Sequence, residues 1–247
     1  MLHKIHWLLE NTPVIVIAIV MLALRVAWPL RAQAKGTIEK VIYAFHNGSN
    51  GAYPSGGLAV DAAGNFYGIT EAGGNAGGYD GLGTVFELTP PADPTGAWAQ
   101  TTIYSFSNTG DGVIPLSGVI LDSAGNLYGT TAGSGDGDTV FELSPPATPG
   151  APWTETTLYT LAPVSYPHGL IFDGHGNLYG KTEFGGKYGG GNVYELSPPT
   201  IPGASWVETD LNDFTGGRDG GEPEAGLVFD GSGNLDGTAS EGGIIED

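Results

Sequence analysis

One phrase, Asp-x-x-Gly-Asn-(Leu/Phe)-x-Gly, is written four times in this chain, at Asp61–Gly68, Asp122–Gly129, Asp173–Gly180 and Asp230–Gly237. Its starts lie 61, 51 and 57 residues apart. Recurrence in that range marks a repeat architecture with one supersecondary unit per copy. Gly and Pro together make up about 24% of the 247 residues, just under the level of low-complexity chains. The glycines nevertheless punctuate regular apolar runs, and 40% of residues are hydrophobic, which argues against disorder. Beyond the N-terminus no apolar stripe of helical period exceeds a turn or two, so the chain reads as all-β.

The third copy shows the unit most plainly. Gly169-Leu170-Ile171-Phe172-Asp173 is a short apolar strand, and Gly174-His175-Gly176-Asn177 supplies the positive-φ chemistry of a tight hairpin. Leu178–Thr182 returns, a Gly-rich turn follows, and Asn192–Leu196 forms the third strand. A connection from Pro198-Pro199 to Trp206 leads to a fourth strand, Glu208–Leu211. The other copies repeat this punctuation, with Thr84–Leu88 and Thr139–Leu143 as third strands, then Pro90-Pro91 to Trp98 and Pro145-Pro146 to Trp153. β-Branched and aromatic residues fill these runs, as strands require. A four-stranded antiparallel meander of this kind is the blade of a β-propeller.

The last copy ends in Gly242-Gly243-Ile244-Ile245-Glu246-Asp247, which aligns with the third strand and lacks a fourth. The first is preceded by a spare strand, Thr37–Phe45. The expected fold is therefore a β-propeller of about four four-stranded antiparallel blades, closed by the N-terminal strand beside Ile244 and Ile245, without an exposed sheet edge. The rivals are a fragment of a larger ring and an open array that needs a second copy to close. The repeat cores lie near 54–106, 115–161, 167–214 and 223–247, plus 37–45.

Ahead of them, Lys4, the apolar run Val14–Leu24 and Ala32-Gln33-Ala34 have the layout of a secretory signal peptide over residues 1–34, leaving 35–247 as the repeat domain. The alternative is an uncleaved anchor over roughly Pro13–Leu30. Arg25, Arg31, Lys35 and Lys40 follow the run, which disfavours an anchor with the repeats outside. Residues 35–247 carry five basic residues against 26 acidic ones, a net charge of −21. Such a surface repels phosphate backbones and anionic lipid, so nucleic acid is not an expected partner, and membrane contact would come only through an uncleaved N-terminal segment. The chain has no cysteine, so an exported domain would rely on packing without disulfides.

The linked motifs Gly-Leu-x-x-Asp-x-x-Gly-Asn-Leu-Tyr-Gly-x-Thr, Gly-x-Val-Phe-Glu-Leu-x-Pro and Thr-x-Leu-Tyr-x-Phe resemble the GloVer repeat over about residues 37–247. That is the unit of the choice-of-anchor tandem-repeat proteins of bacteria. The resemblance implies exported or surface proteins with various anchors, although no C-terminal anchor is recognisable here after Asp247. More loosely, the blade pattern resembles NHL-type and gluconolactonase-like propellers, and neither likeness carries over a catalytic residue.

Candidate sites follow from what recurs and what breaks the recurrence. Asp61, Asp122, Asp173 and Asp230 each open a Gly-Asn turn, where a carboxylate accepts backbone N–H groups. A calcium ring is disfavoured there, since one Asp per turn falls short of six to eight oxygens. Glu87, Glu142, Glu195 and Glu246 occupy one position of the third strand and would either converge on a divalent cation such as calcium or pair locally. No cofactor is otherwise expected. Asp136-Gly137-Asp138 and Gly78-Tyr79-Asp80-Gly81 resemble glycine–aspartate calcium repeats without their period. His46, His168 and His175 lack zinc-site spacing, and no Gly-x-Ser-x-Gly elbow or Walker loop is present.

Tyr67, Tyr128 and Tyr179 recur after Gly-Asn, where the last copy has Asp236. Together with Trp98, Trp153 and Trp206 on the Pro-rich connections they are candidate binding residues, against a packing role over the blade edge. The expected function is a non-enzymatic binding or scaffolding module, secreted or at the cell surface, recognising an extracellular glycan or an envelope protein. The alternative is a propeller enzyme of lactonase or lyase type at the channel mouth, with His168, His175 or Asp236 breaking the symmetry.

Overall fold

The computed structural model describes residues 3–9, 38–75, 81–133, 137–201 and 203–243. Its described residues are all-β, with no helix. The first copy forms a sheet of β3 (Ala52–Val60), β4 (Phe66–Ala72), β5 (Thr84–Thr89) and β6 (Ala99–Ser105), after β1 (His3–Leu9) and β2 (Ile38–Phe45). The second holds β7 (Ile120–Leu121), β8 (Leu127–Thr131), β9 (Thr139–Ser144) and β10 (Thr154–Thr160). The third holds β11 (Pro167–Phe172), β12 (Leu178–Thr182), β13 (Asn192–Ser197) and β14 (Val207–Asp213). All three are four-stranded antiparallel meanders in sequence order, and the last copy contributes the pair β15 (Val228–Phe229) and β16 (Leu235–Asp236).

Both ends of the repeated phrase have a structural cause. Asp122 Oδ1 accepts the amides of Ala124 (2.8 Å) and Asn126 (2.8 Å), while Oδ2 accepts Asn126 Nδ2 (2.9 Å). Gly125 sits at φ +91° in that turn, a region a side chain would strain. The same bonds recur at Asp61, Asp173 and Asp230. Although partial burial works the other way, bonds to Asn126 and Ala124 hold Asp122 below the usual carboxylate range. The closing glycine of the phrase lies under an aromatic ring: a Cβ at Gly68, Gly129 or Gly180 would run into Phe86, Phe141 or Tyr194.

Tyr194 differs from Phe86 and Phe141 by a hydroxyl that is buried without a hydrogen-bond partner among the described residues. An unpaired buried hydroxyl destabilises by roughly 1–3 kcal/mol. Tyr194→Phe is accordingly expected to raise the melting temperature, by about 1 kcal/mol of stability. A fall in melting temperature would show that the hydroxyl has a partner in solution.

Neighbouring copies join by a repeated seam. Phe106, just after β6, meets Phe141 of the second copy edge-on at 5.2 Å, and Tyr104 meets Phe106 at 5.2 Å. Tyr128 of the second copy meets Phe172 of the third at 5.0 Å, and Tyr179 of the third meets Phe229 of the fourth at 5.1 Å. Thr130 Oγ1 donates to the carbonyl of Pro167 (3.0 Å), and Lys181 Nζ donates to that of Pro223 (2.7 Å). Each copy thus grips the start of the next.

The spare strand fits this pattern. Phe45, 1% exposed, packs on Phe86 at 4.9 Å, and Tyr43 meets Phe45 at 4.9 Å. Strand β2 therefore stands against the first copy as β6 stands against the second. Its hydrogen-bonded neighbour is β1, with Lys4 opposite Ala44 and Trp7 opposite Lys40. Among the described residues no sheet closes on itself. The expected partners Ile244 and Ile245 lie outside the described residues.

Candidate functional site

The repeated residues lie in the seams. Trp98 stacks on Phe66 at 5.1 Å, and Trp153 meets Tyr67 of the preceding copy at 6.2 Å. Trp206 packs on a cluster that joins Tyr128, Val140 and Leu161 of the preceding copy to Leu170, Leu178, Tyr194 and Leu196 of its own. All three are half-buried. Tyr67 and Tyr128 are buried, and their hydroxyls donate to Asp61 and Asp122 at 3.2 Å each. Tyr179 reaches Asp173 at 3.5 Å. Burial, then the charges of Glu87 and Asp61, push the Tyr67 phenol up. Burial and the charge of Asp61 likewise hold Glu87 above the usual carboxylate range.

The third-strand glutamates are held locally. Glu87 accepts from Tyr67 (3.5 Å), Glu142 from Ser144 (2.9 Å) and Glu195 from Ser197 (3.0 Å). Glu246 lies outside the described residues, as do Asp136 and residues 78–80. Among the described residues one trio of acidic side chains gathers closely enough to hold an ion, and it is a different one: Glu183, Glu222 and Glu224.

Of these, Glu224 also lines a cleft to which every copy contributes, and Glu183 and Glu222 lie beside it. Each copy enters its first strand through a residue followed by proline: Tyr53-Pro54, Ile114-Pro115, Tyr166-Pro167 and Glu222-Pro223. All four leading residues take positive φ, at 56°, 52°, 49° and 49°. A residue before proline prefers extended backbone, and a β-branched Ile at positive φ is a genuine outlier. Hydrogen bonds from the preceding copy hold the strain. Ile114 N donates to the Leu82 carbonyl (2.9 Å) and Glu222 N to that of Gly190 (2.9 Å), while Tyr166 N donates to Asp138 Oδ2 (2.9 Å).

The residues just after these prolines are Ser55, Leu116, His168 and Glu224. Leu116, His168 and Glu224 line a cleft of ≈ 430 Å³ walled by all four copies, together with Leu58, Val119 and Leu170. Its glycines are required by close approach. A Cβ on Gly118 would run into the Gly57 backbone, and one on Gly56 into Gly118.

At the side of the third and fourth copies His168 Nε2 lies 3.2 Å from Glu183 Oε2, and carboxylate oxygens of Glu183, Glu222 and Glu224 all lie within 4.8 Å of one another. Desolvation, then the charges of Glu241, Glu183 and Glu224, hold Glu222 above the usual range. Burial pushes the Lys181 ammonium down to about 8, against the opposing pull of Glu224 and Glu183. Lys181 is fully buried.

Of the expected symmetry breakers, His168 alone is placed here. The His175 side chain is 87% exposed on an outer turn, 3.6 Å from Asp173. Asp236 is exposed on β16, where the other copies carry the seam tyrosines. One signal in the sequence marks the mouth: a proline shortly before each Gly-(Leu/Val), flanked by residues that differ from copy to copy.

With this geometry in hand, comparison with known families is decisive. The pattern of the Gloeobacter/Verrucomicrobia repeat matches residues 30–247, nearly nine-tenths of the chain. The chain belongs to that repeat family. No curated protein matches it. Membership of the Gloeobacter/Verrucomicrobia repeat family agrees with the recurrence of the seams and the capped turns from copy to copy. The residues that follow the four prolines differ between copies.

Proposed function

We propose that this protein is an exported binding or scaffolding module of the choice-of-anchor kind, released from residues 1–34 and acting outside the cell or on its surface. Its repeats form a closed ring of four blades, with β2 completing the last blade beside Ile244 and Ile245. The placement of Phe45 on Phe86 supports this closure, because it repeats the seam of Phe106 on Phe141. Size-exclusion chromatography of a chain lacking that strand tests it.

The binding site is the axial mouth, and the partner an extracellular glycan or envelope protein. One observation carries this reading: four equivalent strained positions hold four non-equivalent neighbourhoods around a single cleft. Symmetric scaffolding would not need Tyr53, Ile114, Tyr166 and Glu222 to differ, and backbone strain concentrates at functional sites. The tryptophans are offered as a supporting surface through the faces their seams leave open.

The test is binding of the chain from Lys35 to a glycan array and to envelope fractions. His168→Ala and Glu224→Ala are expected to abolish capture while leaving the melting temperature near that of the parent. Trp153→Ala is expected to lower the melting temperature first. Capture indifferent to both mouth changes, or no capture at all, sinks the reading.

The His168–Glu183 pair favours one second reading, an acid–base enzyme of lactonase or lyase type at the same mouth. Turnover of a lactone panel that disappears with Glu183→Gln would establish it. No turnover on any member would remove it.

A further inference from the structure

We infer that a hollow at the seam of the first two copies binds an uncharged sugar ring, stacked on Trp153 and hydrogen-bonded by Asn50, Asn75 and Gln100. The hollow has a volume of ≈ 460 Å³, within the range of small-molecule sites, roughly 300 to 1,000 Å³. It shares no lining residue with the axial cleft, so it stands or falls apart from the mouth. Asn50 is contributed by the turn before β3, Asn75 by the segment after β4, Gln100 and Thr102 by β6, and Trp153 by the connection before β10.

Two repeated positions lose their charge at this seam. Gln100 stands opposite Leu88 in the strand register, where Glu155 stands opposite Leu143 and Glu208 opposite Leu196. Asn50 Nδ2 donates to the Tyr43 hydroxyl at 2.9 Å, and at the next seam Asp111 Oδ2 accepts from the Tyr104 hydroxyl at 2.9 Å. Both exchanges put an amide where a carboxylate stands, and both amides line this hollow. Its lining side chains are all uncharged, in a chain of net charge −19.

A lining that is polar yet neutral selects its ligand. A carboxylate only accepts hydrogen bonds, whereas an amide donates and accepts, as sugar hydroxyls do. Gln100 is held in place, its Nε2 donating to Thr102 Oγ1 (3.1 Å), which donates in turn to the Ser49 carbonyl (3.1 Å). The bonds of Gln100 and Asn50 each take one of an amide's two N–H groups, and Asn75 is exposed. Trp153 supplies an apolar platform for the C–H face of a ring. It is half-buried and meets Tyr67 in a T-shaped contact, whereas Trp98 is stacked on Phe66 at 15°. A charged ligand would find no opposite charge here to offset its desolvation.

Glucose, cellotetraose, maltotetraose, glucuronate, glucosamine and a blocked neutral tetrapeptide are titrated calorimetrically into the whole protein. Salt of about 0.15 M screens the net charge. A neutral sugar is expected to bind roughly tenfold or more tighter than glucuronate or glucosamine, the effect of one well-made hydrogen bond or one unpaired charge. A tetraose that binds tighter than glucose assigns the ligand to a glycan chain, and equal affinity to a free sugar. Asn75→Ala and Gln100→Glu are each expected to weaken the neutral sugar roughly tenfold. Gln100→Glu installs the residue that the second and third copies carry at that position, so its melting curve should match the parent.

No binding of any neutral sugar, equal or tighter binding of a charged one, binding of the tetrapeptide alone, or affinity unchanged in both variants overturns the inference. Sugar binding that is lost in His168→Ala and kept in Asn75→Ala and Gln100→Glu places the sugar at the mouth, which removes this site and leaves that reading intact. Sugar bound here with no capture at the mouth does the reverse.

Discussion

A chain beginning at Asn47 is expected to aggregate or to elute as broad oligomers, whereas one beginning at Lys35 elutes as a compact monomer. The cause is local. Phe45 packs against Phe86 and Leu88, with Ile42 and Tyr43 beside Leu58, Phe66 and Trp98. Removing β2 uncovers that face, and an uncovered apolar sheet is an aggregation site. Phe45→Ala is the milder form, with an expected loss of about 3–5 kcal/mol, the usual range for deleting a buried aromatic ring. The Lys35 chain is also the sharper experiment. It lacks β1, the strand that pairs with β2 in the structure, so its stability reports whether the last copy holds β2 instead. Identical chromatograms and melting curves for the two chains would show that β2 is not the clasp.

The strand order of each copy was legible because hairpin chemistry and β-rich runs are local signals. Asp173 to Gly180 spells its own turn, and the third strand declares itself in Val193-Tyr194-Glu195-Leu196. The role of the repeated aromatics was only half legible. Tyr67 and Trp153 stand in different copies, 86 residues apart in number, and nothing local announces that they meet across a seam. The third-strand glutamates were open to two readings for a related reason. Equivalent positions in a ring look convergent on paper, yet Glu87, Glu142 and Glu195 each bond within their own copy. The mouth leaves no repeated signal in the sequence, because it is where repetition stops. His168 was visible as a symmetry breaker. Glu183 and Glu222 were not, since their meeting depends on two successive copies and on a strained φ at Glu222 that no residue preference predicts. Pro54, Pro115, Pro167 and Pro223 were the fixed points from which those differences could have been counted.

Asp138→Ala is expected to destabilise the chain by on the order of 3–5 kcal/mol and to unseat the mouth as well. Asp138 is fully buried. Its Oδ2 accepts Ser165 N (2.7 Å), Ser165 Oγ (2.9 Å) and Tyr166 N (2.9 Å), and its Oδ1 accepts Gly133 N (3.0 Å). In the other seams a backbone carbonyl, of Leu82 or Gly190, takes the amide that begins the next strand. Here a side chain does that work, so one substitution can remove it. Alanine leaves the amides of Ser165 and Tyr166 without their acceptor in a buried setting, where an unmet donor destabilises by roughly 1–3 kcal/mol. Tyr166 sits at φ +49° only because it is clamped, and release lets it relax toward the extended backbone that precedes a proline. His168, two residues on, would then lose its placement beside Glu183. Asp138→Asn should fall between the two, since the amide keeps one acceptor oxygen but turns a donor toward other donors. Denaturant unfolding gives the stability, and hydrogen exchange at the Ser165 and Tyr166 amides locates the change. If Asp138→Ala unfolds with the parent, or if exchange quickens everywhere except at these two amides, the carboxylate is not the clamp that holds the third copy's entry.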